Sequence, residues 1–452
     1  MLLDIKQKDT ICALASAKGY CAISIIRVCG DKVLDIIKQL FSKPFLLTPL
    51  KANHNYIIDA KAQVIDEVIA IYYPAHKSFV GHNTLEINCH GNPIIVDEIL
   101  QRLQQCGARL AAPGEFTLRA MLQGKIDLVQ AENIANLIHA KSEIAKKTAL
   151  QGLSGNLGKK CEPIRNTFIE VLAHLEARMD FVDEDLGDYE RFSLIKKLQN
   201  AALAIESMLK NAKNTLKLYE GARIVICGEP NAGKSSLLNY LAQEEKAIVH
   251  EHAGTTRDVI EASLNIDGFL VTIVDIAGIR DLHQAEIVEQ IGINKALSEL
   301  KKADVVIWLS DANLKNPFNN IIINNELKDI NIPIIKVLNK IEITSDYDKN
   351  YTGISAKTGK NIDLLLNKIK NLLHHENISD EEILITKERQ INELRSALNF
   401  LNSAITLLSN QVIDEIVCFE IRSSAECFDR LLGKSINNDI LDKIFSEFCI
   451  GK

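Results

Sequence analysis

The spacing of apolar positions changes three times along the chain, and each rhythm predicts a different architecture. The first stretch, to about residue 120, carries short apolar runs at 22–28, 68–73 and 85–89, broken at Gly19, Gly30, Pro74, Gly81 and Gly91. Such runs between turn residues predict strands, with one helical run over 94–105 among them. From about 125 to 217 apolar residues recur at helical spacing, as in Ile134, Leu137 and Ile138, then Ile164, Phe168, Val171, Leu172 and Leu175. That predicts long amphipathic helices packed on one another, with a turn across 152–158. Between about 220 and 380 strand and helix alternate, with strands at 223–227, 270–274, 305–309 and 334–338 apolar enough for a parallel sheet covered on both faces. Helical spacing then returns through Leu394, Leu398, Leu401 and Ile405.

The expected fold class is a multidomain α+β chain. An N-terminal α+β domain (1–122) precedes a helical domain in two halves (123–218 and 383–452), interrupted by an inserted α/β domain (219–382). Neither helical half can bury its apolar stripe alone, so the two should pack together. A chain of 452 residues is too long for one core, which agrees. At 47% hydrophobic and 25% charged it has the composition of a globular protein. Its net charge of −7 excludes a pervasively basic nucleic-acid binder but leaves room for a local patch. Ten cysteines occur with no C-x-x-C pair, so buried thiols are expected rather than zinc or a redox dithiol. With neither a leader pattern nor an apolar run of membrane-spanning length, a cytoplasmic protein with no membrane partner is expected.

Residues 228–235, GEPNAGKS, match G-x-x-x-x-G-K-[ST] between an apolar strand and a helix, the setting this phosphate loop requires. Gly228 and Gly233 let successive N–H groups turn inward on phosphate oxygens, and the helix N-terminus adds its dipole. Asn231, Ala232, Ser236 and the loop backbone complete the cradle; Lys234 brings charge to the β- and γ-phosphates, and the Ser235 hydroxyl can hold Mg²⁺. Four more strings follow in the order of a GTPase. Gly254-Thr255-Thr256 precedes a strand, and Thr256 would complete the Mg²⁺ shell. Asp275-Ile276-Ala277-Gly278 ends a strand, where the Asp faces Mg²⁺ through water and the Gly N–H meets the γ-phosphate. Asn339-Lys340-Ile341-Glu342 ends the next, at the carboxyl edge where such sheets bind ligands. Ser355-Ala356-Lys357 would back a guanine base with main-chain N–H groups. Each string is weak alone; five in order at strand ends point to GTP rather than ATP.

Hydrolysis leaves a gap. The residue after Gly278, where a Ras-like enzyme keeps the glutamine that orients water, is Ile279. A charge at the transition state is needed as well. Glu286, Glu289 and Gln290 are candidates for the first role, and the Asn231 side chain for holding a monovalent cation in the second. By spacing alone the reading of Asn231 as a turn residue and of Glu289 as a solvated helix position outweighs these roles.

Two further strings, PGEFTLRAMLQGKIDLVQAE at 113–132 and FCIGK at 448–452, are the most specific outside the nucleotide site. On these, the chain resembles the tRNA modification GTPases of the MnmE (TrmE) family along essentially its whole length. The resemblance implies a homodimer joined through N-terminal domains, and a heterotetramer with an FAD protein like MnmG (GidA). It implies modification of the wobble uridine of certain tRNAs at carbon 5, with a one-carbon unit from a 5-formyl or methylene tetrahydrofolate. It implies K⁺-dependent hydrolysis, with K⁺ held by Asn231, His250, His252 and Thr255, Mg²⁺ by Ser235 and Thr256, and Glu289 orienting the attacking water. His250 would also line the GTP site. Arg27, Glu86, Lys125 and Lys452 match the folate contacts, and Cys449 the family cysteine, which reads as a nucleophile or a buried thiol. The chain departs from the family at Lys18–Ala22, which is less glycine-rich, at Ile276 in place of Thr, in a longer switch II through Asp281–Ala285, and at Glu342 in place of Asp. A switch GTPase of ribosome assembly shares the nucleotide motifs but not Lys125 or the FCIGK string. A module that only holds nucleotide is the third reading.

Overall fold

The computed structural model describes residues 9–452 apart from 46, 181–187, 211, 213–215, 217–220, 244–246, 249–259, 267–268, 276–298, 320–323, 325–326, 328–331, 345–346, 374–384 and 436. The chain divides into two compact units, one of residues 1–138, 150–207 and 389–452, the other of 139–149 and 208–388.

In the first unit a six-stranded sheet runs β3-β4-β5-β2-β1-β6. Its strands are β1 (Ile11–Leu14), β2 (Cys21–Cys29), β3 (Ala52–Ile58), β4 (Val64–Tyr73), β5 (Thr84–Gly91) and β6 (Arg109–Leu110). Alternation sets its faces: in β4, Val68, Ala70 and Tyr72 are buried while Glu67 and Ile69 are exposed. The buried row packs on α1 (Val33–Leu40) and α2 (Pro93–Gln105) through Val33, Ile36, Val96, Ile99 and Leu103. The Asn92 side chain caps α2 by accepting from the Ile94 N–H at 2.9 Å, with Pro93 at the first helical position. The expected strands and α2 are present; α1, β1, β3 and β6 are additional, β1 and β6 being only four and two residues long and β3 carrying the polar Asn53, His54 and Asn55 near its start.

The rest of this unit is helical: α3 (Glu115–Leu122), α4 (Leu128–His139), α6 (Asn156–Asp180), α7 (Asp188–Lys210), α10 (Glu388–Ser409), α11 (Asp414–Leu432) and α12 (Asn438–Ser446). The turn expected across 152–158 is shorter, because α5 (Glu143–Leu153) runs to its edge and α6 starts at Asn156. The two helical halves do pack together. Phe168 of α6 meets Phe428 of α11 edge-on at 5.5 Å, and Arg165 pairs with Asp429 at 2.7 Å. Arg389 forks onto Glu132 of α4 at 2.9 and 3.0 Å and also donates to the carbonyl of Arg430, while Gln390 reaches the same carboxylate at 2.7 Å. Glu132 is 4% exposed, so Arg389→Met would strand a buried charge and should cost about 3–5 kcal/mol. Denaturant unfolding checks this; a loss below about 1 kcal/mol would mean the pair does not join the halves.

The second unit holds a seven-stranded sheet in the order β13-β12-β11-β7-β10-β9-β8. The strands are β7 (Ala222–Gly228), β8 (Ala247–Ile248), β9 (Ile260–Ile266), β10 (Phe269–Asp275), β11 (Val305–Asp311), β12 (Ile334–Asn339) and β13 (Thr352–Gly353). Val305 to Ser310 are all buried, because cores lie on both faces of the sheet: Ile224, Ile226 and Ile307 face one, Val225, Cys227 and Trp308 the other. The parallel sheet expected from sequence is corrected at one edge, where β9 pairs antiparallel to β10 and to β8. Helices α8 (Lys234–Gln243) and α9 (Ile362–Leu373) cover the first face through Leu237, Leu241, Leu365 and Ile369. Among the described residues no helix is long and apolar enough to cross a membrane. Eight of the ten cysteines are buried as expected; Cys21 and Cys449 are exposed, which excludes the buried-thiol reading of Cys449.

Candidate functional site

The phosphate loop leaves the carboxyl end of β7 and enters α8 at Lys234. Gly228 and Gly233 have φ of +152° and +93°, and neither tolerates a side chain. A Cβ on Gly228 would stand 2.1 Å from the Leu309 carbonyl, and one on Gly233 2.2 Å from Nδ2 of Asn339. Between them Asn231 is left-handed at φ +65° and exposed, while Ala232 is buried. Lys234 Nζ donates to the carbonyls of Gly228 and Glu229, both at 3.0 Å, which holds the ammonium in the mouth of the loop. Ser235 and Ser236 are exposed on the first turn of α8.

Asn339 connects the loop to the base-reading segment. Buried at the end of β12, it donates from Nδ2 to the Ala232 carbonyl and accepts at Oδ1 from the Ala356 N–H, both at 2.9 Å. Ser355 is fully buried; its hydroxyl takes the Thr358 N–H at 3.1 Å, holding the turn in which Ala356 sits and Lys357 is exposed. Lys340, left-handed at φ +69°, donates to Asp311 at 2.7 Å. Glu342 is exposed in the turn that follows. Asp311 is a residue the motif reading missed. Burial alone would raise its carboxyl, but Lys340 and the Asn313 N–H and amide outweigh that and hold it below the ordinary range. Asp275 ends β10 in register with Ile226 of β7, the strand that leads into the phosphate loop. His250, His252, Thr255, Thr256, Ile276, Ala277, Gly278 and Glu289 lie outside the described residues.

A second cluster forms in the first unit. Arg27 of β2 faces Glu86 of β5 in register and pairs with it at 2.8 Å. The other oxygen of Glu86 accepts from the Tyr73 hydroxyl at 3.2 Å. Burial and this carboxylate together push the Tyr73 phenol above its ordinary value. Arg27 also sits 5.7 Å over the Phe116 ring and donates to the Gly451 carbonyl at 3.2 Å. Gly451, at φ +90°, lies so close to β1 that a Cβ would stand 2.4 Å from the Leu14 carbonyl. The segment 448–452 is thus seated on the sheet, with Lys452 half-buried. Beside it is a cavity of about 420 Å³ whose walls include Leu14, Lys18, Ser24, Val96, Asp97 and Ile450. Arg27, Glu86 and the 448–452 segment therefore come together. Lys125 is exposed on the loop after α3, and no hydrogen bond or ion pair joins it to them among the described residues.

The PGEFTLRA string explains itself here. Gly114 caps α3 at φ +68°, where a Cβ would meet the Phe445 carbonyl at 2.7 Å. Glu115, 1% exposed, takes two bonds from Arg109 at 2.6 and 2.8 Å and two from Arg119 at 2.8 and 3.2 Å. Burial raises its carboxyl, but both arginines and the Ala112 N–H outweigh that and hold it below the usual glutamate range. The network holds the start of α3, and so places Phe116 under Arg27.

Sheet, phosphate loop and Asn339 bridge define a P-loop guanine-nucleotide-binding protein whose nucleotide domain is inserted into a helical one. The MnmE helical domain model matches residues 128–449, and the model of the GTP-binding protein TrmE N-terminus matches 10–125. The chain belongs to the MnmE family of tRNA modification GTPases, and it is a GTP hydrolase. It is 37% identical to the tRNA modification GTPase MnmE of Fervidobacterium nodosum, across 99% of both chains. It is 37% identical to that of Aquifex aeolicus across 98% of this chain and 100% of the relative, and 38% to that of Endomicrobium trichonymphae across 99% of both.

Proposed function

We propose that this protein hydrolyses GTP in a K⁺-dependent cycle that drives modification of the tRNA wobble uridine at carbon 5, using a tetrahydrofolate one-carbon unit and an FAD-containing partner. The observation that supports the reading is the bond from Arg27 to the Gly451 carbonyl, which sets the FCIGK string beside the Arg27–Glu86 pair. A folate presents a pterin edge of donors and acceptors and an anionic glutamate tail. Glu86 and Arg27 offer the complementary carboxylate and guanidinium, and Lys125 and Lys452 supply further charge.

In the nucleotide site the loop N–H groups and Lys234 would hold the β- and γ-phosphates, and Ala356 N–H would back the base at a position set by Asn339. Ser235, with Thr256, suits Mg²⁺, since it stands exposed on the first turn of α8 beside the phosphate cradle. Asn231 is exposed on the same loop, where its side-chain oxygen can serve K⁺ together with His250, His252 and Thr255. Glu289 would orient water. Exposed Tyr20, Ile23 and Ile69 on or beside the N-terminal sheet support a homodimer joined there.

Two measurements test this reading. Mass spectrometry of tRNA nucleosides from cells lacking the protein should show loss of the carbon-5 substituent; intact wobble uridines would overturn it. Glu289→Ala should keep GTP affinity and lose roughly 100-fold or more in K⁺-stimulated turnover. Full turnover would transfer the role to Glu286.

A further inference from the structure

We propose that a groove at the β13 edge of the seven-stranded sheet docks RNA, and that its occupant is the tRNA of the reading above, on which this inference rests. The groove has a volume of about 330 Å³, and its walls include Tyr347, Lys349, Tyr351, Asn367, Lys368 and Asn371. None of these belongs to a nucleotide motif.

Its helical wall is one stripe of α9. Ile362, Leu365 and Ile369 face the core, while Asn361, Leu364, Lys368 and Asn371 follow one another at helical spacing along the groove. The opposite wall is the segment 347–351, which turns at Asp348, whose carbonyl accepts from the Tyr351 N–H at 3.2 Å, before it enters β13. Tyr347 packs closely on residue 353 because that residue is glycine; a Cβ there would stand 2.4 Å from the ring. Tyr351 is backed by Phe318 at a centroid distance of 4.8 Å. Two aromatic rings are therefore held by packing at the groove, as a stacking platform for bases requires.

Charge favours the same occupant. Among the described residues that line the groove the ionisable side chains other than tyrosine are Lys349 and Lys368, with no carboxylate, while the chain as a whole carries −7. Lysine, asparagine and tyrosine are the side chains that bind phosphate and sugar without reading sequence. An added peptide strand fits less well. β13 is only two residues long, and the Gly353 carbonyl already accepts from Asn361 Nδ2 at 2.9 Å. Lys368 Nζ bonds the Thr352 hydroxyl at 2.8 Å, which fixes its ammonium at the groove wall and leaves two N–H groups for phosphate.

The test uses the full chain and a labelled, unmodified tRNA transcript, with affinity measured by anisotropy across a salt series. Lys349→Glu with Asn371→Glu, both at exposed positions, should weaken tRNA binding about tenfold or more and lower the salt slope by about 1. Lys349→Gln alone should lower the slope without adding repulsion. GTP affinity and K⁺-stimulated turnover should not change, which shows that the domain stays folded. Unchanged tRNA affinity and slope would overturn the proposal and leave the groove to a polypeptide. Failure of the groove alone would leave wobble uridines still dependent on the protein, whereas failure of the functional reading would leave them intact in its absence.

Discussion

Asn339→Ala should weaken GTP binding by at least about 100-fold while the protein stays folded. Asn339 is 2% exposed and holds both the phosphate loop, through the Ala232 carbonyl, and the base-reading turn, through the Ala356 N–H. Alanine leaves both backbone groups buried without their partner, at about 1–3 kcal/mol each. It also frees the two segments to move apart, so each must be ordered again by the nucleotide. The expected result is a rise of at least about 100-fold in the GTP dissociation constant, since each 1.4 kcal/mol is tenfold. Titration with a fluorescent GTP analogue measures it, and circular dichroism confirms the fold. Affinity within about threefold of the native protein would show that the bridge does not preorganise the site. Gly233→Ala should have the same outcome by another route, because its Cβ would meet the Asn339 amide at 2.2 Å at a φ of +93°.

Arg27→Met should release residues 448–452 and weaken folate binding with basal GTP hydrolysis intact. Methionine keeps much of the contact with Phe116 but loses the ion pair to Glu86 and the bond to the Gly451 carbonyl. Hydrogen bonds from a charged donor contribute about 1.5–3 kcal/mol, so about 10- to 100-fold in tetrahydrofolate affinity is expected. Equilibrium dialysis with 5-formyltetrahydrofolate gives that number. Hydrogen exchange at residues 449–452 reports the release separately. Unchanged exchange with lost affinity would make Arg27 a ligand contact only. Unchanged affinity would remove it from the site. Arg27→Lys should recover part of the binding, because an ammonium cannot bridge Glu86 and Gly451 with the same fork.

The nucleotide motifs were legible because each is local. Gly228 to Ser235 is a single turn between one strand and one helix, and its spacing is its geometry. The long helices and the four apolar strands were legible for the same reason, since each carries its own period. Other features had no such signal. The antiparallel turn of β9 against β10 looks, along the chain, like any strand. Asp311 looks like a loop acid until Lys340 is seen beside it. Tyr73 and Phe116 became part of the second cluster only because a sheet register and a buried charge network put them there.

Chain order alone therefore established a guanine-nucleotide domain inserted in a helical one, because phosphate recognition needs only a few neighbouring backbone N–H groups and one lysine. Folding decided what the family strings mean together. Arg27 and Gly451 stand 424 positions apart, and only the packing of α12 under Gly114 of α3, with Glu115 locking that helix between two arginines, closes the distance to 3.2 Å. Contacts of that range carry no periodicity, since they depend on which buried surfaces find each other.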